Sequence, residues 1–220
     1  MSFSPNPLRW FANFRGGVPS FAGHGLLLAA LAFVNVGCHH RANPPGDRKI
    51  VATPLSKSYV LAFPAMTYYD QSCAKCHGPE GSFYGPTLGN NLTDAQLIAK
   101  CRAMEAGPAG APISEQANQA VVAYHRALIM RRPFVSLTQL TSGQWGGEAS
   151  TDAKVTVHIA GRSIPADTTD WNWIATVPPG ANPADATIDA QVDNKTTTLH
   201  LAQSPYSGTD PLPPAGQRHK

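Results

Sequence analysis

Two cysteines and a histidine stand in the order Cys-x-x-Cys-His at Cys73, Cys76 and His77. Two thiols at this spacing, followed at once by a histidine, are the pattern to which a c-type haem is attached. The sulfurs add to the two vinyl groups of the porphyrin, and the histidine becomes an axial ligand of the iron. A thioredoxin-like dithiol would not need the histidine, and a zinc site would need a second pair of ligands. The motif occurs once, so the sequence predicts one covalent haem c per chain.

The first 37 residues have the pattern of an export signal. They contain Arg9 and Arg15 but no acidic residue, and Leu26–Val36 is an apolar run that is short for crossing a bilayer. Because haem c is attached outside the cytoplasm, an export signal agrees with the Cys-x-x-Cys-His motif. We therefore expect residues 1–37 to be a signal peptide and the protein to be periplasmic or on the outer surface.

The residues that follow the apolar run suggest a lipid anchor. Gly37 and Cys38 resemble the lipobox of bacterial lipoproteins, in which cleavage leaves the cysteine as the lipid-bearing N-terminus, although Asn35 departs from the usual aliphatic residue. We expect Cys38 to be lipidated and to hold the protein at the membrane; an ordinary secretory peptide and an uncleaved anchor are the alternatives. Cys101 is then left without a partner, as a buried small hydrophobe. A Cys38–Cys101 disulfide is the alternative in a chain without the lipid.

Charge and composition indicate no further chemistry. The chain has 17 basic and 14 acidic residues, and two of the basic residues lie in the predicted signal peptide. No basic run with interleaved aromatic residues is present, so nucleic acid is not an expected partner. The sequence shows no nucleophile elbow, phosphate-cradling glycine loop or Ser-His-Asp arrangement. An electron carrier, or a subunit that transfers electrons, is therefore favoured over an enzyme.

Changes in composition divide the chain into segments. Helical periodicity is confined to residues 58–132, and Thr, Val, Trp and Gly with alternating apolar positions follow from Phe134. The fold class expected is a mainly α haem domain of three to four helices, followed by a small β-rich C-terminal domain. The predicted segments are a signal peptide (1–37), a linker (38–57), the haem domain (58–132), the β-rich domain (133–203) and a flexible tail (204–220).

Three helices are predicted in the haem domain. The first runs from about Ala65 to His77 and ends at Gly78-Pro79. Thr93 and Gln96 form a capping box for the second, and Ser114 caps the third. The apolar positions of the second and third helices repeat at helical spacing: Leu97, Ile98, Cys101 and Met104, then Ala117, Ala120, Val121, Tyr124 and Leu128.

In the β-rich region the clearest strand is Lys154–Ile159, whose apolar residues alternate. Residues 188–192 and 196–201 flank Asp193-Asn194-Lys195 as a hairpin would. Four strands are predicted in all, with a bulky core supplied by Trp145, Trp171 and Trp173.

Residues 59–132 resemble a class I cytochrome c. The resemblance is carried by an aromatic residue, Tyr69, ahead of Cys-x-x-Cys-His-Gly, by the loop Tyr84–Gly89 with its Gly-Pro-x-Leu pattern, and by the helix around Ala123–Leu128. It implies that the first and last helices cross, with Tyr124 in the contact. It also implies that the carbonyl oxygen of Pro86 accepts a hydrogen bond from Nδ1 of His77 and so orients the ring.

The sixth iron ligand is where the sequence departs from the family. The family has a methionine in the loop before the last helix, but here residues 106–112 contain none, and Ala111-Pro112 stands where Met-Pro is expected. Met104 is the nearest candidate ligand; the alternative is a core methionine at a helix end. His125 is expected on an exposed helix face, and His158 on the solvent face of a strand.

The resemblance and the motif together imply a monohaem cytochrome that carries single electrons between membrane or periplasmic redox partners. Two alternatives remain at this stage. Without a sixth ligand, the haem would be a gas sensor or a peroxidase-like module. The β-rich region could also dock the chain onto a dehydrogenase complex as its cytochrome subunit.

Overall fold

The computed structural model of the chain describes residues 59–85, 88–89 and 91–218. The predicted signal peptide and linker, with Cys38, lie outside the described residues, and so does Pro86. No helix within these ranges has the length and apolar character needed to cross a membrane.

Four α-helices occupy the N-terminal half of the described chain. Their bounds are α1 Ala65–Ser72, α2 Ala74–His77, α3 Asp94–Ala106 and α4 Glu115–Met130, with a 3₁₀ segment at Pro79–Tyr84. The predicted first helix is confirmed apart from a break at Cys73, which separates α1 from the single turn of α2.

The predicted helix starts are also confirmed. The side chain of Thr93 accepts the backbone N–H of Gln96 while the Gln96 side chain accepts that of Thr93, so the capping box of α3 is complete. Ser114 caps α4 by accepting the backbone N–H of Ala117.

The fold class predicted from the sequence is wrong, because the chain is not mainly α. About 27% of it is strand, arranged in two four-stranded antiparallel sheets. The first sheet has the order β1-β2-β6-β5, and the second has the order β4-β3-β7-β8. The strands are β1 Val135–Leu140, β2 Gln144–Ala149, β3 Lys154–Ile159, β4 Arg162–Pro165, β5 Asp167–Thr169, β6 Asn172–Thr176, β7 Thr187–Val192 and β8 Lys195–His200.

The strand β2 shows why the β content was underestimated. Five of its six residues are buried, so it lacks the alternation by which a half-exposed strand is recognised. Gly146 and Gly147 are poor strand formers, yet only glycine fits at 147: a Cβ there would lie 1.8 Å from the carbonyl oxygen of Ser136 on the neighbouring strand. The close approach of β1 and β2 therefore requires glycine, a residue that in a sequence predicts a turn rather than a strand.

The two sheets enclose one apolar core. Trp145 and Trp173 are almost fully buried in it, as predicted, and the hairpin of β7 and β8 pairs Val192 with Lys195 across the turn. Trp171 is different: it is half-buried, packs with the helical residues, and its indole N–H reaches Oγ1 of Thr67 at 3.4 Å.

The C-terminal segment after β8 packs onto the helices. Leu212 is buried in a cluster with Leu97, Cys101 and Ile129, and Arg218 donates hydrogen bonds to the carbonyl oxygens of Gly89 and Leu92. The segment predicted as a flexible tail thus contacts residues 89 and 92, ahead of α3.

Candidate functional site

The predicted haem-attachment residues lie together on the wall of one cavity. Cys73 forms the junction of α1 and α2, and Cys76 and His77 end α2 before Gly78, whose φ of 75° turns the chain. Cys73 and His77 are half-buried, and Cys76 is exposed. All three side chains border a cavity of about 520 Å³. The three residues of the motif therefore share one cavity.

The rest of the cavity wall is largely apolar. It is built from the segment before α3, from α3 itself, from the loop that follows α3, and from α4. The apolar side chains that contribute are Leu88, Leu92, Leu97, Val121 and Ile129. The volume lies within the range of about 300–1,000 Å³ typical of cofactor and ligand sites. A large, mostly apolar ring system attached through two thiols fits this space.

Met104 lies on the same cavity wall, in the last turn of α3. Its side chain is 37% exposed, so it is not the core methionine that was the alternative. Pro108 and Ala109 of the following loop also border the cavity. The fold thus brings the candidate ligands His77 and Met104 to one cavity.

His125 occupies a different place from the one expected. It is half-buried rather than exposed, lies on the wall of the cavity, and packs against the rings of Tyr69 and Tyr124. Burial lowers the pKa of His125, and the nearby His77 lowers it further, while its hydrogen bond to the carbonyl of Val121 raises it. His125 is therefore a neutral imidazole near pH 7.

Tyr84 joins the two histidines. Its ring stacks on His77 with ring centroids 4.6 Å apart, and its hydroxyl lies 3.2 Å from Nε2 of His125. Burial, followed by the hydrogen-bonded hydroxyl of Tyr69, raises the pKa of Tyr84. The phenol is therefore protonated near neutral pH.

A buried carboxylate also borders the cavity. Glu105 is 6% exposed, and burial raises its pKa despite the opposing charge of Arg102. In the amide orientation that satisfies both neighbours, Asn118 donates to Oε1 of Glu105 at 3.0 Å and accepts from Nε of Arg102 at 3.1 Å. The carboxyl group is thus held in place at the edge of the candidate site.

The thiol of Cys101 is not part of the attachment motif. Burial raises its pKa to about 12, so it is not a nucleophile. All three described cysteines are free thiols. Cys101 packs in an apolar cluster with Leu97 and Val122, which confirms the prediction that it is a small buried hydrophobe.

Sequence reasoning missed Tyr84, His125 and Glu105 as site residues. A signal was present for His125, which follows Val121 by four positions and precedes Ile129 by four, so all three share one helix face. Glu105 carries the same kind of signal, because it follows Cys101 by four positions and Leu97 by eight on the buried face of α3. The place of Tyr84 depends on how the 3₁₀ segment folds over the cavity.

The structure also brings together a serine, a histidine and an aspartate that the sequence did not associate. Nδ1 of His158 lies 3.0 Å from Oγ of Ser163, and Nε2 lies 3.1 Å from Oδ2 of Asp189. The hydroxyl of Thr198 donates to the other oxygen of Asp189 at 2.7 Å. The side chains of His158 and Asp189 are 37% and 34% exposed on the outer sheet face. This is the cross-strand polar pairing expected on a solvated sheet face.

Comparisons of the chain with protein-family models, with curated proteins and with solved structures found no match. Within the described residues, no group of three or more His, Cys, Asp or Glu side chains is placed to hold a metal ion. The site is therefore interpreted from its own residues.

Proposed function

We propose that the chain is a monohaem c-type cytochrome that carries single electrons between redox partner proteins. One observation supports this above the others: Cys73, Cys76 and His77 all face the same largely apolar cavity of about 520 Å³. A covalent haem site needs two thiols, an imidazole and a largely apolar cavity, and these residues would supply them.

The residues of the cavity each have a part in this function. The thiols of Cys73 and Cys76 would hold the haem covalently, and His77 would bind its iron. The haem supplies the one-electron chemistry when bound. The apolar wall would limit the contact of the haem with water. An apolar site raises the reduction potential of a haem, because it disfavours the extra positive charge of the oxidised iron.

Met104 supports an electron carrier over a ligand-binding haem. A thioether from Met104 would complete the iron coordination and leave no open position. A gas sensor or a peroxidase-like module remains the alternative, because the loop at 107–112 contains no methionine. An absorption spectrum with and without carbon monoxide separates the two, because only an open iron position binds the gas.

The place of action belongs to the proposal as well. Export by residues 1–37 and lipidation of Cys38 would keep the protein in the periplasm or on the outer surface, bound to a membrane. Cys38→Ala should then move the protein from the membrane fraction to the soluble fraction. Unchanged partition would point to an uncleaved anchor or to docking on another protein.

Covalent haem retention is the direct test of the function. The chain is produced with a c-type haem maturation system, and haem is stained on a denaturing gel. Wild type should show a haem band at the size of the polypeptide, and the double variant Cys73→Ala/Cys76→Ala should show none. Cys101→Ala is the matched control, because that thiol is buried outside the motif, and it should retain the band. A wild-type chain without bound haem would overturn the proposal.

A further inference from the structure

The ring of Tyr84 lies directly on the predicted axial histidine. The two rings are nearly parallel, at 29°, with centroids 4.6 Å apart. Tyr84 ends the 3₁₀ segment Pro79–Tyr84, and Gly81 packs so closely beneath it that a Cβ there would lie 2.5 Å from the tyrosine ring. The ring of Tyr84 is therefore held from below by backbone and presents its face to His77.

The hydrogen bonds of His125 fix which of its nitrogens carries the proton. Nδ1 lies 2.9 Å from the carbonyl oxygen of Val121, and a carbonyl oxygen can only accept, so Nδ1 carries the hydrogen. In a neutral imidazole the other nitrogen is then an acceptor. Nε2 lies 3.2 Å from the hydroxyl of Tyr84, so Tyr84 is the donor in this contact. The hydroxyl of Tyr69 also hydrogen-bonds that of Tyr84.

In these two hydrogen bonds the donors follow one another in the same direction. The phenol of Tyr84 donates to Nε2 of His125, and Nδ1–H of His125 donates to the backbone of α4 at Val121. A phenol that donates its proton to an imidazole gains electron density on its oxygen and ring. That density lies against the face of His77. The last helix is thus connected to the predicted iron ligand through two side chains.

We propose that Tyr84 and His125 are positioning residues for His77, which hold its ring in one orientation and place added electron density against it. This inference rests on the proposed function and specifies how the site sets its potential. Density against the axial imidazole stabilises the oxidised iron, so the pair lowers the reduction potential.

Tyr84→Phe tests the donor without removing the ring. We expect the equilibrium constant for reduction of the haem to increase at least threefold, which is about 28 mV at 59 mV per tenfold change for one electron. His125→Leu should have the same effect, and His125→Gln, whose amide oxygen can accept from Tyr84, should restore most of the wild-type value. If the two residues act through one hydrogen bond, Tyr84→Phe/His125→Leu should shift the potential no further than either single change.

The orientation of the His77 ring is measured separately from the reduction potential of the haem. The haem methyl resonances of the ferric protein depend on the plane of the axial histidine, and we expect their pattern to change in Tyr84→Phe. Tyr68→Phe is the matched control, because its hydroxyl donates to the carbonyl of Ala111 at 2.6 Å and its ring does not stack on His77. That variant should keep both the methyl pattern and the potential.

The tautomer is tested on the reduced protein with ¹⁵N-labelled histidine. We expect a protonated Nδ1 and an unprotonated Nε2 for His125. The opposite tautomer, or variants of Tyr84 and His125 that leave both potential and methyl pattern unchanged, would overturn the inference. Those results require a wild-type protein with covalent haem, so they are distinct from a failure of the proposed function, in which no haem is bound.

Discussion

The carboxylate of Glu148 accepts the backbone N–H of Met66 at 2.9 Å. Its second oxygen accepts the backbone N–H of Thr67, also at 2.9 Å. Both N–H groups belong to the first turn of α1, which begins after Pro64 and has no side-chain cap of its own. Glu148 lies on β2 and is 1% exposed. The sheet therefore supplies the cap of α1, the helix that ends immediately before Cys73.

Glu148→Gln should lower the free energy of unfolding by about 1–2 kcal/mol, because one acceptor and the negative charge at the helix N-terminus are lost while both N–H groups stay buried. The midpoint of urea unfolding measures this. Glu115→Gln is the control: Glu115 is also in the first turn of a helix, α4, but is exposed, and should cause a smaller change. Equal effects would contradict the capping role.

Met104→Ala should open the sixth coordination position. The near-infrared thioether-to-iron band of the ferric protein should disappear, the potential should fall, and the ferrous protein should bind carbon monoxide. Met66→Leu is the control, since Met66 is buried in the contact between helices and should leave the spectrum unchanged. A spectrum unaffected by Met104→Ala would show that this side chain only lines the cavity.

Asp94 links α3 to α4 and to the C-terminal segment. Arg126 donates to it from Nε at 2.7 Å and from Nη2 at 2.8 Å, and the backbone N–H of Leu212 donates at 3.1 Å. Asp94→Asn should therefore destabilise the protein by about 2 kcal/mol. Asp167→Asn, at an exposed position on β5, is the control and should change little.

The ion pair of Asp94 and Arg126 also makes the stability of the protein depend on pH. The hydrogen bond from Arg126 lowers the pKa of Asp94 below its ordinary value of 3.8. The stabilisation is therefore complete above about pH 3.8 and is lost as the pH falls through the lowered pKa. Stability measured from pH 6 to pH 2 should fall more steeply in wild type than in Asp94→Asn. Parallel curves would exclude Asp94 as the source.

Gly208→Ala tests the close packing of the C-terminal segment on α4. Gly208 has a φ of 77°, and a Cβ there would lie 2.5 Å from the carbonyl oxygen of Ala123. Gly180 has a φ of 76° and nothing within 4 Å of its Cβ position, so Gly180→Ala measures the conformational cost alone. We expect about 1 kcal/mol for Gly180→Ala and about 1–3 kcal/mol more for Gly208→Ala. Similar losses would mean that the segment can move away.

The helices were predictable because their signals are local. Thr93 and Gln96, and Ser114 with Glu115, mark helix starts within four residues, and the periodicity of apolar positions does the rest. The sheets were predicted only where burial alternates, as in β3. A strand such as β2, buried on both faces and containing Gly146 and Gly147, depends on partners far along the chain that no local pattern shows.

The residues of the candidate site also fall into those that a local sequence pattern predicts and those that it does not. Cys73, Cys76 and His77 are neighbours in the sequence, so their closeness on the cavity wall follows from their spacing. Tyr84 and His125 are 41 positions apart, and their hydrogen bond depends on how the 3₁₀ segment folds against α4. Pairs of this kind become visible only when the tertiary structure is known.

The first described residues, which precede α1, form hydrogen bonds with residues of the sheets. The hydroxyl of Tyr59 donates to the carbonyl of Leu201 at 2.9 Å, and the backbone N–H of Ala62 donates to that of Leu137. A force that pulls on the chain ahead of residue 59 is therefore carried first by β1 and the end of β8. For a protein tethered at its N-terminal end, mechanical tension would load the sheets and leave α1 and α2 under little strain.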